Sequence, residues 1–168
     1  MMASGGLQRL SPLPLTEEGC GEGHPGRRSG GAGFAHQLRR TMGATMKLND
    51  KVAVVTGAGQ GMGRAIARLF AQEGAKVIAL DLKLDNAQQT VAGSSGVARK
   101  LNVADSAAVK ALFDELVAEF GAIDVLVNNA GIGGLDKFID TSDEAWARVI
   151  AINLNGAFYC AREAARAM

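Results

Sequence analysis

The chain has little of what would tie it to nucleic acid, a membrane, a disulfide framework or a metal. Its 18 lysines and arginines are almost cancelled by 17 aspartates and glutamates, leaving a net charge of +1. A nucleic-acid or membrane-surface protein normally carries a basic patch or stripe, so this balance argues against both partners. No apolar run approaches the roughly 18 residues needed to cross a bilayer, which predicts a soluble, cytoplasmic protein. Only two cysteines are present, Cys20 in a polar segment and Cys160 in a helical pattern. They make neither a disulfide framework nor metal-ligand spacing, so no metal site is expected and a reducing compartment is the simpler setting. Both histidines, His24 and His36, precede residue 46. No Ser-His-Asp arrangement can therefore be assembled in the rest of the chain.

What is present is ordinary for one soluble domain: 168 residues, 48% hydrophobic and 21% charged. Residues 1–45 stand apart, holding ten of the 22 glycines, all three prolines and one aromatic residue, Phe34. That composition cannot bury enough apolar surface to offset its ordering entropy, and disorder is expected there. Five arginines in this stretch raise the question of targeting. Glu17, Glu18 and Glu22, and the absence of an apolar h-region, argue against it. An inert extension or a start-site artefact fits better, with Met46 close enough to the fold to be the working start.

The organising stretch is Lys51 to Gly63, KVAVVTGAGQGMG. Val52, Val54 and Val55 are β-branched and sit in a block too short for a buried helix, so a buried central strand is predicted. Glycines crowd its end. Met62 to Glu73 then places Ala65, Ile66, Leu69 and Phe70 on one helical face, with Gly74 as the C-cap. Strand, glycine turn and helix in that order let the backbone approach a pyrophosphate and aim free N–H groups at it. The spacing is T-G-x-x-x-G-x-G, on Thr56, Gly57, Gly61 and Gly63, and not G-x-G-x-x-G. No Gly-Lys-Ser/Thr follows, which disfavours a Walker loop.

Further strands are predicted at Lys76 to Asp81, near Val97 to Val103 and at Ile123 to Val127. A short helix should run from Asp85 to about Val91. A longer one should be capped by Asp105, stopped by Gly121, and packed through Val109, Leu112, Phe113, Leu116 and Phe120. Thr141-Ser142-Asp143-Glu144 fits a capping box opening a long helix that carries Trp146, Val149, Ile150, Leu154 and Phe158. Alternating strands and helices without hairpin signals imply right-handed crossovers and a parallel sheet.

From about Met46 to Met168 the chain resembles the short-chain dehydrogenase/reductase family. The likeness rests on the glycine motif, on Asp81 at the second strand's end, on Asn128-Asn129-Ala130-Gly131 after the fourth, and on Asn153 in the long helix. It implies an α/β fold, a Rossmann-type doubly wound parallel sheet in truncated form with strand order 3-2-1-4, so that residues 46–168 form a partial NAD(P)-binding domain. It also implies an oxidoreductase that moves hydride between nicotinamide and a carbonyl or secondary alcohol, acts on a small molecule, and assembles as a homo-oligomer when complete. The cofactor-binding residues carried over are Gly57, Gln60, Gly61, Met62, Gly63, Asp81, Asn102, Val103, Asn129, Ala130 and Gly131. Asp81 would accept hydrogen bonds from the adenosine ribose and repel the extra phosphate of NADP, which favours NAD. Arg64 and Lys83, basic residues where the family often marks NADP, keep that cofactor possible. Asn102 stands where the family usually has aspartate, and its carbonyl oxygen can still accept.

Asn153 is the expected catalytic residue. In the family an asparagine there distorts the helix and holds a water for proton transfer. Asn155 competes for the role, but Gly156 and Phe158 follow Asn153 in the family's order. The family's catalytic serine and Tyr-x-x-x-Lys pair would lie beyond residue 168. Tyr159, the sole tyrosine, is followed four residues later by Glu163, not lysine. A carboxylate there would raise the phenol's pKa, against what catalysis wants, so Tyr159 is read as packing. The alternative reading of the chain is a non-catalytic dinucleotide-binding fragment.

Overall fold

The computed structural model describes residues 46–134 and 137–168. The disorder expected of residues 1–45 lies outside the described residues. Four parallel strands, β1 (Val52–Thr56), β2 (Lys76–Asp81), β3 (Val97–Lys100) and β4 (Val125–Val127), pair in the order β3-β2-β1-β4. This is the order the family resemblance implies. Val54 of central β1 is in register with Ile78 of β2 and Leu126 of β4.

Strand side chains alternate between two faces, and each face has its own core. Val54, Ile78 and Leu80 pack against Val109, Leu112, Phe113 and Leu116 of α3 (Ser106–Phe120) and against Cys160 and Ala164 of α5 (Ala157–Ala167). On the other face Ala53, Val55, Val77 and Ala79 meet α1 (Gly61–Gln72) and α2 (Leu84–Val91). That second face is built of smaller residues, and this changes which side of α1 is buried. Gly63 and Ala67 face the sheet, with Ile66 and Phe70 partly covered, while Ala65 is exposed and Leu69 is 53% exposed. The helical spacing did group Ile66 with Phe70, but an alanine-lined strand surface draws the helix in until its smallest residues make the contact.

Two strands are shorter than their apolar runs. β3 ends at Lys100; the Leu101 N–H still bonds to the Asp81 carbonyl (3.0 Å), and the chain then turns where Asn102 Oδ1 accepts from the Ala104 N–H (3.1 Å). β4 begins at Val125: the Ile123 N–H is turned to the Ala167 carbonyl (3.4 Å), and Asp124 adds a clasp on β1, its N–H donating to the Val52 carbonyl (2.9 Å) and its carboxylate accepting from the Val52 N–H (2.8 Å) and Lys51 Nζ (2.7 Å). α3 matches its signals closely, with Asp105 accepting from the Ala107 and Ala108 N–H groups and Gly121 ending the helix at φ 84°.

The long C-terminal helix is three segments: α4 (Asp143–Ile150), a π-helical turn (Ala151–Gly156) and α5. Its N-cap is Ser142, which accepts from the Ala145 N–H (3.2 Å), so the capping box sits one residue later than Thr141. The Glu144 carboxyl is held below its usual range by its own backbone N–H and by the Ser142 hydroxyl. On α5, buried Glu163 is gripped by Arg162 and Arg166, each at 2.8 Å.

These carboxylates make stability acid-sensitive. Hydrogen bonding from Arg162, with Arg166, lowers the Glu163 pKa, and hydrogen bonding from Lys51 and then Val52 lowers that of Asp124. The unfolded chain therefore binds more protons in acid. The stabilisation is full above the ordinary carboxylate values of 4.5 and 3.8 and is lost as pH falls through the folded pKa values. Urea midpoints are expected to be flat above about pH 5.5 and to fall below about pH 4.5, with a shallower fall in Glu163→Gln. A midpoint that does not move down to about pH 3 would contradict this assignment.

Candidate functional site

The chemistry-bearing residues gather at the carboxyl ends of β1, β2 and β4, where the strand order reverses and an open α/β sheet leaves a crevice. β1 delivers the chain into the glycine loop. Gly57 (φ 62°) and Gly61 (φ 53°) adopt the left-handed conformation, which residues with a Cβ enter at a cost. Three loop glycines are packed against protein. A Cβ on Gly57 would lie 2.8 Å from Ala130 Cα, one on Gly59 2.6 Å from Asp81 Oδ2, and one on Gly63 2.5 Å from Asn129 Nδ2. Gly61 is different, since a Cβ there would meet nothing within 4 Å. The loop is thus tight beneath and open at Gly61, a cradle that suits a bulky ligand group. Gln60, the N-cap of α1, makes no side-chain capping bond, and the first turn carries no acidic residue. The helix-start N–H groups therefore have no side-chain acceptor from the cap, the arrangement that receives a phosphate. Gln60 and Met62 are exposed beside them.

Asp81, at the end of β2, is aimed by two backbone donors: the Gly59 N–H reaches Oδ2 (2.8 Å) and the Lys83 N–H reaches Oδ1 (2.9 Å). Each oxygen keeps accepting capacity for a hydroxyl. Asn129 joins β4 to the loop. Its N–H bonds to Thr56 Oγ1 (3.0 Å), and its Nδ2 donates to the carbonyls of Thr56 (3.0 Å) and Gly57 (3.1 Å). Ala130 donates its N–H to the same Thr56 hydroxyl (3.0 Å), and exposed Gly131 follows. Asn128 turns away and donates to the Ala157 carbonyl (3.1 Å). Its amide supports the helix after the π turn, not the crevice.

Asn153 lies in the middle of the π turn and is exposed, yet both halves of its amide are used. Oδ1 accepts from the Ile132 N–H (2.9 Å), and Nδ2 donates to the Ile132 carbonyl (2.8 Å). It ties the loop after β4 to the helix. Asn155, also in the turn and exposed, competes for position but not for this clamp. Asn102 is exposed at the end of β3, beside the Leu101–Asp81 rung, whereas Val103 is buried against Gly156. Two contributors escaped the motif reading, Gly59 and Thr90, while Arg64, noted there as a basic residue beside the loop, is tied to both of them. Gly59 could have been suspected, since a glycine between Gly57 and Gly61 leaves space for a carboxylate. Nothing local marks Thr90, which reaches the loop from another helix.

Tyr159 packs edge-on to Phe158 (5.9 Å between ring centroids, 64°), with Arg162 lying 5.7 Å over its ring. The Glu163 carboxylate is spent on arginines. Cys160 is buried, and burial pushes its thiol up to about 11, which makes it inert. Among the described residues no group of three or more His, Cys, Asp or Glu side chains could hold a metal, and no helix is long and apolar enough to cross a membrane.

Residues 51–168 match the family model described as short chain dehydrogenase. The chain is 41% identical over 128 residues to a 3beta-hydroxysteroid dehydrogenase of Mediterraneibacter gnavus, covering 73% of this chain and 46% of that protein. It is 42% identical over 119 residues to a cyclohexanol dehydrogenase of an Acinetobacter species, covering 67% and 47%. Over 125 residues it is 40% identical to the 3-oxoacyl-acyl-carrier-protein reductase FabG of Escherichia coli, covering 73% and 51%. A solved structure from Burkholderia xenovorans, assigned to the short-chain dehydrogenases/reductases, superimposes with a TM-score of 0.69 at 39% identity, covering 72% of this chain and 52% of that one. The chain spans about half the length of the curated relatives it matches.

Proposed function

The chain belongs to the short-chain dehydrogenase family, and on that premise we propose that it forms the dinucleotide-binding part of an NAD-dependent oxidoreductase. The nicotinamide, when bound, supplies the hydride chemistry between a carbonyl and a secondary alcohol. The relatives named above are dehydrogenases or reductases of a hydroxysteroid, cyclohexanol and an oxoacyl group, which supports that substrate class and no narrower one. Cytoplasmic location and homo-oligomeric assembly belong to the same reading.

The observation that carries the proposal is Asp81, fixed by the Gly59 and Lys83 N–H groups beside a loop that is open at Gly61. In this reading Gly57, Gly61, Gly63 and the N–H groups about Gln60 and Met62 receive the pyrophosphate, and Asp81 accepts from the adenosine ribose. Asn102 and Val103 border the adenine, and Asn129, Ala130 and Gly131 wall the crevice. Asn153 positions the loop through Ile132, and the π turn around it would hold a water for proton transfer.

Calorimetric titration should show NAD binding more tightly than NADP, and Asp81→Ala should narrow that gap by about tenfold. Tighter NADP binding in the wild type, or an undiminished preference in Asp81→Ala, would defeat the assignment. Tyr159 followed by Glu163 favours a second reading of these 168 residues by themselves, as a binder without turnover. A panel of secondary alcohols incubated with NAD separates the two. Turnover abolished by Tyr159→Phe would exclude the second.

A further inference from the structure

Arg64 follows Gly63 in the first turn of α1 and is the kind of residue that recognises a phosphate. Here it is committed elsewhere. Its Nη2 donates to the Gly59 carbonyl, and its Nε donates to Thr90 Oγ1 at 3.2 Å. Thr90, near the end of α2, is 3% exposed. Its hydroxyl lies within hydrogen-bond reach of the Ala58 carbonyl (2.7 Å) and the Asn86 carbonyl (3.0 Å); its one proton is shared between them, and its lone pairs remain to accept from the arginine. Gly59 is consequently bracketed: the Asp81 carboxylate holds its N–H and the Arg64 guanidinium holds its carbonyl. Arg68, one turn later, is also engaged, donating to the carbonyls of Thr90 (3.4 Å) and Gln89 (3.1 Å) at the end of α2.

We propose that Thr90 acts with Asp81 in setting the cofactor preference of this site: its buried hydroxyl holds Arg64 Nε while the Gly59 carbonyl holds Nη2, and together they keep the guanidinium under the glycine loop, away from a 2′-phosphate. The inference rests on the dinucleotide reading above. With the tether in place, Asp81 is the charged group presented to the ribose from this corner of the loop. Without it, an arginine within one residue's span of Asp81 has a donor to satisfy, and a phosphate is a strong acceptor for it. Thr90 and Arg64 are positioning residues in this scheme, not ligands of the cofactor.

The test is the ratio of NAD to NADP affinity, titrated on the full chain. Lys83, exposed after Asp81, is common to all variants and cancels from the comparison. Thr90→Ser keeps the hydroxyl and should keep the wild-type ratio. Thr90→Val removes it at similar volume and should lower the ratio by about tenfold through a gain in NADP affinity, the scale of one charge-assisted hydrogen bond. Arg64→Met alone should leave the ratio unchanged, and adding it to Thr90→Val should restore the wild-type ratio. A merely structural Thr90 would weaken both cofactors together and leave the ratio alone.

A Thr90→Val ratio within about twofold of wild type overturns the proposal. So does a selective loss of NADP affinity in Arg64→Met, which would mean that the arginine already reaches the phosphate. If Thr90→Val does not fold, Thr90→Ala takes its arm, and the Arg64→Met result still decides. Binding of neither dinucleotide by the wild type would instead overturn the cofactor reading beneath, and this inference with it.

Discussion

Gly63→Ala should destabilise the domain by about 3 kcal/mol and abolish dinucleotide binding, whereas Gly61→Ala should cost about 1 kcal/mol. The two glycines belong to one motif but meet different physics. A Cβ on Gly63 would press on the Gly57 carbonyl and lie 2.5 Å from Asn129 Nδ2. The first is backbone at the start of the loop, and the second is the amide that holds β4 to that loop through the Thr56 and Gly57 carbonyls. Neither can move without opening the junction of β1, α1 and β4. At Gly61 a Cβ meets empty space, and the penalty is the left-handed φ of 53° alone. Gly61→Ala should therefore fold nearly normally and still lose affinity, because the open space is where a cofactor must approach. Urea denaturation and NAD titration of both variants decide this. Equal destabilisation by the two would mean that the loop relaxes around a Cβ at either position, and the close-packed floor described here would be wrong.

Expressed by itself, the 168-residue chain should self-associate strongly. Among the described residues β4 is an edge strand of apolar residues paired on one side only, and such an edge invites a second chain. Beside it runs a helix whose apolar side chains are poorly covered: Trp146 is 58% exposed, Leu154 61% and Phe158 57%. Phe138 and Ile139 just before that helix are 90% and 86% exposed. A contiguous apolar surface beyond a few hundred Å² marks association or aggregation. Sedimentation velocity should show dimers or larger species, and glutamates at Trp146, Leu154 and Phe158 together should shift the population toward monomer. A monomer with a sharp, cooperative melt would show that these surfaces are tolerated in water and that no copy of the chain covers them.

The elements legible in the sequence are those with short-range signals. A β-branched run closed by glycines made β1 and the loop. The 15-residue helix α3 announced itself by Asp105 at one end and Gly121 at the other. Asp81 was legible because a carboxylate ending the second strand of such a unit has one place to face. Parallel pairing followed from the alternation of strands with helices, and the family likeness supplied the strand order.

What only the tertiary structure decided depends on partners far away in the chain. Which side of α1 is buried was set by the alanines of β1 and β2 beneath it, not by its own spacing. The start of β4 was set by Ile123, whose N–H turns to the Ala167 carbonyl, and by Asp124, which closes on Lys51 and Val52 across more than seventy residues. Asn153 found Ile132, 21 residues before it, and the helix widened into a π turn around that clamp. Thr90 met Arg64 because two helices on one face of the sheet bring their ends together over the glycine loop. A hydrogen bond is satisfied by whichever donor and acceptor the packed chain brings within 3 Å or so, and sequence separation has no bearing on that distance once the sheet has formed.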